Sequence, residues 1–485
     1  MFFITRTKLD AIFPAEKLIE YPDSFHFREL SEIDIQGELL LISRETGGWC
    51  ILSREEELFF RDFKISKYIH SAQEKLVNNK ILLFLHLLHL RGLIAFPHDL
   101  PNHDLQKFNM IQRPFKLTFM LSDQCGLACR YCYLDGDYHT ESHTLDEQIA
   151  KAAIRFALSQ DTETIMIDFG EINRSWPLIT KLVDFIRNEC HHTKQVVFLV
   201  QTNGIGLKPE RVDYLKKNDF FVGISLDGPP EIHDQNRVNK YGKGTYKLVE
   251  KNLRRIQNSH IPYIILTTIT QSNWDRAFSL LEYFRAHEMS TYAFKPIIQR
   301  GRAEGNWSFL GISADQYIKF LHDEFDYALN QNDLDLLDEV AIKYIFRALG
   351  DVRGWHNYCP TGYCNKQSEL LFINPEGYVY PCPRFGSNWD SKYRIAKLSG
   401  DPSLLKQNHD QNHERLIPWE CNLCGWKAYC AGGCAIYNEE RDPSCSGYQE
   451  IYKNIFSGVF PAIRKGRLRP SSKVGNMEVF DQNIF

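Results

Sequence analysis

The 485-residue chain has no run of about 18 uncharged apolar residues, so nothing in it reads as a membrane span. Its start, MFFITRTKLDAIFPAEKLIE, lacks a basic segment followed by a short apolar core, which argues against a secretory signal and for a cytoplasmic protein. It also lacks a surplus of positive charge: 57 Lys and Arg stand against 61 Asp and Glu, a net charge of -4, which gives no electrostatic case for nucleic acid or membrane binding. No internal repeat or low-complexity tract stands out. An apolar fraction of 43% allows real cores, and the length suggests about three domains at roughly 150 residues each. What the chain does have is 13 Cys. Eleven of them cluster, which in a cytoplasmic protein points to metal rather than disulfides.

Three lie in the run LSDQCGLACRYCYLDG: Cys125, Cys129 and Cys132, separated by three residues and then two. Three thiolates can hold three irons of a four-iron four-sulfur cube and leave the fourth iron open to a small molecule, whereas a structural site closes every position. The competing reading is a zinc site completed by a distant residue.

The region from 114 to 300 alternates short apolar segments with amphipathic stretches. Strands are expected at 115 to 121, 163 to 169, 196 to 202, 220 to 226, 262 to 268 and 290 to 297, which predicts a parallel α/β sheet. Thr144 and Glu147 suggest a capping box ahead of the helix IAKAAIRFAL. The cysteine loop leaves the first strand at its C-terminal end, where such folds place their active sites.

With Tyr131 one residue before the third cysteine, this loop resembles the signature of the radical S-adenosylmethionine (SAM) superfamily. The resemblance implies a partial (β/α)6 barrel, an α/β fold, in which the open iron chelates SAM. One electron then cleaves the sulfonium, and a 5'-deoxyadenosyl radical abstracts a substrate hydrogen. It also implies roles at later strand ends. The family's Gly-Gly-Glu-Pro motif, which binds the SAM amino group, is reduced here to Gly170 and Glu171 between Phe169 and Ile172. Gln201-Thr202-Asn203-Gly204 and Ser225-Leu226-Asp227-Gly228 follow the third and fourth strands, with Asn203 expected to bind the cofactor and Ser225 and Asp227 expected near its ribose or methionyl group. Arg237, in the stretch His233-Asp234-x-x-Arg237, is expected at the SAM carboxylate because a guanidinium fork suits that group. His233 itself, with His86, His89, His191 and His192, reads as structural or surface.

Eight further cysteines lie between 359 and 445: Cys359, Cys364, Cys382, Cys421, Cys424, Cys430, Cys434 and Cys445. Their spacing, with Gly377 before Cys382 and CNLCGWKAYCAGGC at the centre, resembles the SPASM extension of radical SAM enzymes that modify peptides and proteins. The resemblance implies two auxiliary four-iron clusters, one on Cys359, Cys364, Cys382 and Cys434 and the other on Cys421, Cys424, Cys430 and Cys445, hence three clusters in all. A single zinc on Cys421, Cys424, Cys430 and Cys434 is the alternative. Cys50 and Cys190 read as ordinary buried thiols.

Residues 24 to 98 suggest three strands, FHFREL, ELLLIS and GWCIL, then helices opened by a Ser53-to-Glu56 capping box. The pattern resembles the winged-helix, PqqD-like module that binds leader peptides, and implies strand addition by a peptide along 49 to 52. The expected organisation is therefore a recognition module at 1–98, a linker at 99–113, the barrel at 114–310, a helical bridge at 311–358, the SPASM region at 359–450 and a tail at 451–485.

The function expected is modification of a ribosomally made precursor peptide with a leader, served by an electron donor such as flavodoxin or ferredoxin. Two other readings stay open. One is an anaerobic sulfatase-maturating type that makes formylglycine, although that family has an Asp directly after the cysteine matched by Cys382 and this chain has Pro383. The other is a non-catalytic cluster or zinc protein that escorts a peptide. No acid or base stands out; Glu304, Arg384 and Asp390 lie in plausible neighbourhoods.

Overall fold

The computed structural model describes residues 26–44, 48–54, 56–58, 60–61, 88, 93–95, 114–133, 143–173, 175–191, 193–348, 370–386, 390–398, 419–430 and 445–464. The expected linker at 99–113, the histidines His86, His89 and His192, and the cysteines Cys359, Cys364 and Cys434 lie outside the described residues.

In the front part, strands β1 (His26–Phe27), β2 (Leu30–Ile35), β3 (Glu38–Ser43), β4 (Trp49–Leu52) and β5 (Ile94–Ala95) form two antiparallel sheets, β2-β3-β4 and β1-β5. Sequence reading put one strand at FHFREL. The chain instead pairs His26 and Phe27 with β5 and starts β2 only at Leu30. The residues Glu32-Ile33-Asp34-Ile35 alternate polar and apolar, with Glu32 and Asp34 exposed, and were the available signal for this strand. The Ser53–Glu56 capping box is present, with Ser53 N–H donating to Glu56 Oε2 at 2.8 Å.

Alternation sets the two faces of the β2-β3-β4 sheet. Leu39, Leu41 and Leu52 pack with Phe60, Leu88, Leu93 and Ile94, while Ile35, Leu40, Ile42 and Trp49 join the main core. Trp49 stacks on Phe460 with ring centroids 5.2 Å apart and meets Phe456 edge-on. The front sheet is therefore covered on its second face by the C-terminal helices.

The six strands expected in the middle all form: β6 (Phe115–Phe119), β7 (Thr164–Asp168), β8 (Gln195–Thr202), β9 (Phe221–Ser225), β10 (Tyr263–Ile269) and β11 (Tyr292–Pro296). All neighbouring pairs run parallel, as β-α-β connections impose. The helices between them bury one apolar face each; Glu147–Leu158, for example, turns Ala150, Ala153, Ile154 and Ala157 inward. Its cap corrects the sequence reading. Asp146, not Thr144, accepts the Gln148 and Ile149 N–H groups, while Thr144 is held in a bridge to Ser122 and Glu147 pairs with Lys151 and Lys181. An Asp placed immediately before the first helical residue competes successfully with a Thr two positions further out.

The sheet does not end at β6. Strand β12 (Leu370–Ile373) lies parallel to it, and β13 (Tyr378–Tyr380) and β14 (Ala396–Lys397) continue antiparallel, giving nine strands in the order β11-β10-β9-β8-β7-β6-β12-β13-β14. Between barrel and hairpin run two helices, Ala314–Gln331 and Glu339–Ala348. The helix that begins at Cys445 runs through Asn454 and on, by a π-helical turn, to Arg464, with Tyr452, Ile455, Phe456, Val459 and Phe460 buried. The boundary expected at 450 thus falls inside a packed helix, and residues 451–464 are not a tail.

Candidate active site at the cysteine loop

The loop 120–133 leaves the C-terminal end of β6 and is pinned on two sides. Ala128 N–H donates to Val238 O at 2.8 Å and Arg130 N–H to Asn236 O at 2.9 Å; across the loop, Arg302 N–H donates to Cys132 O at 3.0 Å. Gly301, at φ 58°, lies so close that a Cβ there would stand 2.6 Å from Cys132 O. Cys125, Cys129 and Cys132 are free thiols within electrostatic reach of one another, and Asn203 Nδ2 approaches Cys125 Sγ at 3.6 Å. Among the described residues no three His, Cys, Asp or Glu side chains converge on one point as a single ion would require. Burial pushes the Cys129 thiol up to about 12, so it ionises there only against a strong positive charge such as iron supplies. A three-thiol loop of this kind fits a cluster held at three corners.

Two buried networks flank the loop. In the first, Tyr131 hydroxyl donates to Asp227 Oδ2 at 2.5 Å, Arg237 Nε stands 3.2 Å from the same oxygen, and Thr268 N–H donates to Asp227 Oδ1 at 3.1 Å. Arg237 also covers the Tyr131 ring at 5.2 Å. Asp227 is fully buried, so the guanidinium is its counter-charge. The Tyr131 phenol is pushed well up by burial and stays protonated, as its donation to Asp227 requires.

His233 supports this network from beneath. Its Nδ1 accepts from Asp227 N–H at 3.4 Å and its Nε2 lies 3.1 Å from Thr245 Oγ1, whose own proton goes to Arg237 O at 2.8 Å. That chain fixes the tautomer with the proton on Nε2. Burial depresses its pKa from 6.5 to about 4. Because the folded value lies below the unfolded one, neutral His233 contributes stability above pH 6.5 that is lost as the pH falls toward 4. The stability deficit of His233→Gln relative to the native chain should therefore shrink by about 1.4 kcal/mol between pH 7.5 and pH 5.5. Paired denaturation curves at the two pH values check this, since all other titrating groups cancel; an unchanged deficit would mean that His233 titrates alike in the folded and unfolded chain, and a growing one that it is charged in the fold.

The second network surrounds Glu171. Asn203 N–H donates to its Oε2 at 2.7 Å, Asn173 N–H to Oε1 at 3.2 Å and Thr202 Oγ1 to Oε1 at 3.3 Å; burial pushes its pKa up to about 7. Gly170, at φ 60°, is obligatory, because a Cβ would stand 2.7 Å from Phe119 O. Asn203 ties this network to the loop by reaching Cys125. Ser225 ends β9, half-buried. Six of the seven residues expected to contact SAM thus stand at or just past the C-terminal strand ends or on the loop, and Arg237 follows the short helix Pro230–Asn236. Arg237 differs from expectation in that its Nε is turned to Asp227.

Sequence reading missed a third group. Lys116 Nζ lies 3.0 Å from Asp168 Oδ2, which also accepts from Gln201 Nε2 at 2.8 Å, and Thr118 stands beside Asp168 in register. Charged residues inside otherwise apolar parallel strands were the available signal. Of the three residues named for their neighbourhoods, Asp390 caps a turn through Lys392 N–H, and Arg384 lies within electrostatic reach of Tyr133 near Cys382.

Of the auxiliary cysteines, Cys382 lies two residues past β13, immediately before the short helix Pro383–Gly386. Cys421, Cys424 and Cys430 share one loop, and Cys445 opens a helix whose next turn presents Gln449 to Cys424 Sγ at 3.9 Å. Gly425 of this loop lies against the front sheet; a Cβ there would meet Ser31 Cβ at 3.1 Å.

Comparison with known proteins agrees with this geometry. The family model of the radical SAM superfamily matches residues 119–283. The cysteine-type anaerobic sulfatase-maturating enzyme of Clostridium perfringens is 24% identical over 367 residues, covering 70% of this chain and 95% of that protein. The serine-type enzyme of Bacteroides thetaiotaomicron is 22% identical over 368 residues, covering 68% and 86%. Among solved structures, native anSMEcpe with bound AdoMet superposes with a TM-score of 0.62 at 21% identity over 72% of this chain and 99% of that one. Streptococcus suis SuiB bound to precursor peptide SuiA gives 0.51 at 15% identity over 88% and 99%. No helix among the described residues is long and apolar enough to cross a membrane. The three-thiol loop, the parallel sheet that carries it and these matches lead to one statement: the chain is an enzyme whose residues 119–283 match the radical SAM superfamily, a family that implies a four-iron cluster and SAM.

Proposed function

We propose that the protein is a maturase that modifies a residue of a ribosomally made precursor peptide, recognised through its leader by the front module. The observation that carries this reading is the edge strand β4. Ser43 N–H donates to Gly48 O at 2.8 Å, which sets the alternation of the β3-β4 ladder so that Trp49 and Ile51 turn their backbone groups away from β3, to the sheet edge. An extended leader suits such an edge. The likeness to SuiB, which spans more of this chain than the likeness to anSMEcpe does, supports the same reading.

In this reading Cys125, Cys129 and Cys132 hold the cluster that binds SAM. Cys359, Cys364, Cys382 and Cys434 hold one auxiliary cluster, and Cys421, Cys424, Cys430 and Cys445 the other, in a SPASM region that starts near residue 359. When bound, cluster and SAM supply a one-electron cleavage that begins hydrogen abstraction. The protein's own part is to orient the ligand: Glu171 and Asn203 on one side of the loop, Ser225, Asp227 and Arg237 on the other, with Tyr131 clamped between loop and network. Electrons come from a flavodoxin or ferredoxin.

Formylglycine formation on a sulfatase is the second reading, favoured by the near-complete coverage of the Clostridium perfringens enzyme. Pro383, directly after Cys382 at the start of a helix, disfavours it, since no carboxylate stands at that position.

Ile51→Pro removes an outward N–H donor from β4 and should weaken binding of a precursor encoded beside this protein about tenfold, while SAM cleavage without peptide persists. Titration of the labelled peptide, with mass spectrometry of the product, checks both. Equal peptide affinity for the full chain and for one starting near residue 105 would sink leader recognition. Conversion of a sulfatase-derived peptide to formylglycine would establish the second reading.

A further inference from the structure

Basic charge is unevenly distributed along this chain. Residues 237–255 contain seven Lys and Arg against one acid, Glu250, although the chain as a whole is slightly acidic, with 57 basic and 61 acidic residues. Arg237 and Arg255 are spent internally, on Asp227 and on Leu207 O. Lys240, Lys243 and Lys247 are exposed, as is Arg130 on the cysteine loop itself. Two exposed apolar side chains stand among them, Tyr241 at 75% and Leu248 at 53% exposure.

This segment is bonded directly to the cysteine loop. Besides the two backbone hydrogen bonds from Ala128 and Arg130, Leu127 and Asn239 form a bridge. The turn that follows is rigid: Asn239 Oδ1 accepts from the N–H groups of Tyr241 and Lys243, and Asn239 N–H donates to Lys243 O. Lys240 lies over the Tyr241 ring at 5.1 Å. The nearby acid Asp234 is engaged by Tyr246 N–H. A firm basic surface with an aromatic at its centre therefore lies one hydrogen-bonded layer away from Cys129.

Resting on the proposed function, we infer that this surface, Arg130, Lys240, Tyr241, Lys243, Lys247 and Leu248, is the docking site of a small acidic one-electron carrier that reduces the cluster held by Cys125, Cys129 and Cys132. Redox partners meet through small, transient, electrostatically steered interfaces, for which a few rigid charges around an exposed aromatic suffice. The opposite wall of the loop, at Arg302, is packed rather than presented, with Gly301 closed against Cys132 O. Charge complementarity and the direct hydrogen bonding of this segment to the loop both favour this face.

The test uses the reconstituted full-length enzyme and an acidic flavodoxin as probe. In the double variant Lys240→Glu/Lys243→Glu, cleavage of SAM driven by reduced flavodoxin should fall at least about tenfold at low salt and lose its salt dependence, whereas cleavage driven by dithionite should stay within about twofold. Affinity for oxidised flavodoxin, measured directly by titration, should fall about tenfold as well, and Tyr241→Ala should weaken it with no change of charge. Unaltered flavodoxin affinity and flavodoxin-driven rate in the double variant would overturn the assignment. So would an equal fall with dithionite, which would show that the segment positions the cluster rather than docking a carrier. Absence of SAM cleavage in the native protein with either reductant would instead sink the function reading, and the affinity measurements would still decide the surface.

Discussion

Replacing Cys125, Cys129 and Cys132 together by Ala should abolish SAM cleavage and lower bound iron by about one third, from about twelve atoms per chain to about eight. The expectation follows from the separation of the two cysteine groups. The three thiols sit on a loop fastened to residues 236–239 and 301–302, whereas Cys421, Cys424 and Cys430 lie along 419–430, where Gln449 of the helix Cys445–Asn454 reaches Cys424. Losing one set therefore leaves the other intact. Iron analysis and cluster spectra of anaerobically reconstituted protein check it. Stoichiometric zinc in the native chain, or loss of all iron in the variant, would refute the three-cluster assignment.

Arg237→Ala should cost about 3 to 5 kcal/mol of stability, beyond any loss of SAM binding, because it leaves the fully buried Asp227 carboxylate without a counter-charge. Adding Asp227→Asn should recover part of that loss, since an amide can still accept from Thr268 N–H and needs no counter-charge. Denaturation midpoints of the native, single and double variants measure the coupling. A single variant as stable as the native chain, with only SAM affinity lost, would make Arg237 a ligand contact and nothing more.

Much of the barrel was legible because parallel strands buried on both faces read as short apolar runs, and all six appear within a residue or two of their expected limits. The placement of Gly170, Glu171, Asn203, Ser225 and Asp227 at or just past strand ends was legible as well, because spacing attaches them there. What escaped were relations between distant segments. Nothing local in Phe456 or Phe460 says that they cover Trp49, and nothing in LLFI announces that β12 extends the barrel sheet. Arg237 illustrates the same limit: its fork suggested a ligand, but its partner Asp227 became visible only once the fourth strand and the following helix had brought them together. The Thr144 cap failed for a purely local reason, two candidate oxygen acceptors two residues apart.

The continuation of the sheet past β6 has a consequence for how such enzymes can be built or divided. A barrel cut off before Leu370 would present β6 as a bare edge, with unpaired main-chain groups along Lys116–Phe119 where β12 now lies. Such an edge invites pairing with any other extended chain, including another copy of itself. The C-terminal hairpin thus acts as a guard strand for the catalytic half. The strand that precedes Cys382 is therefore part of the barrel's own sheet rather than an appendage to it.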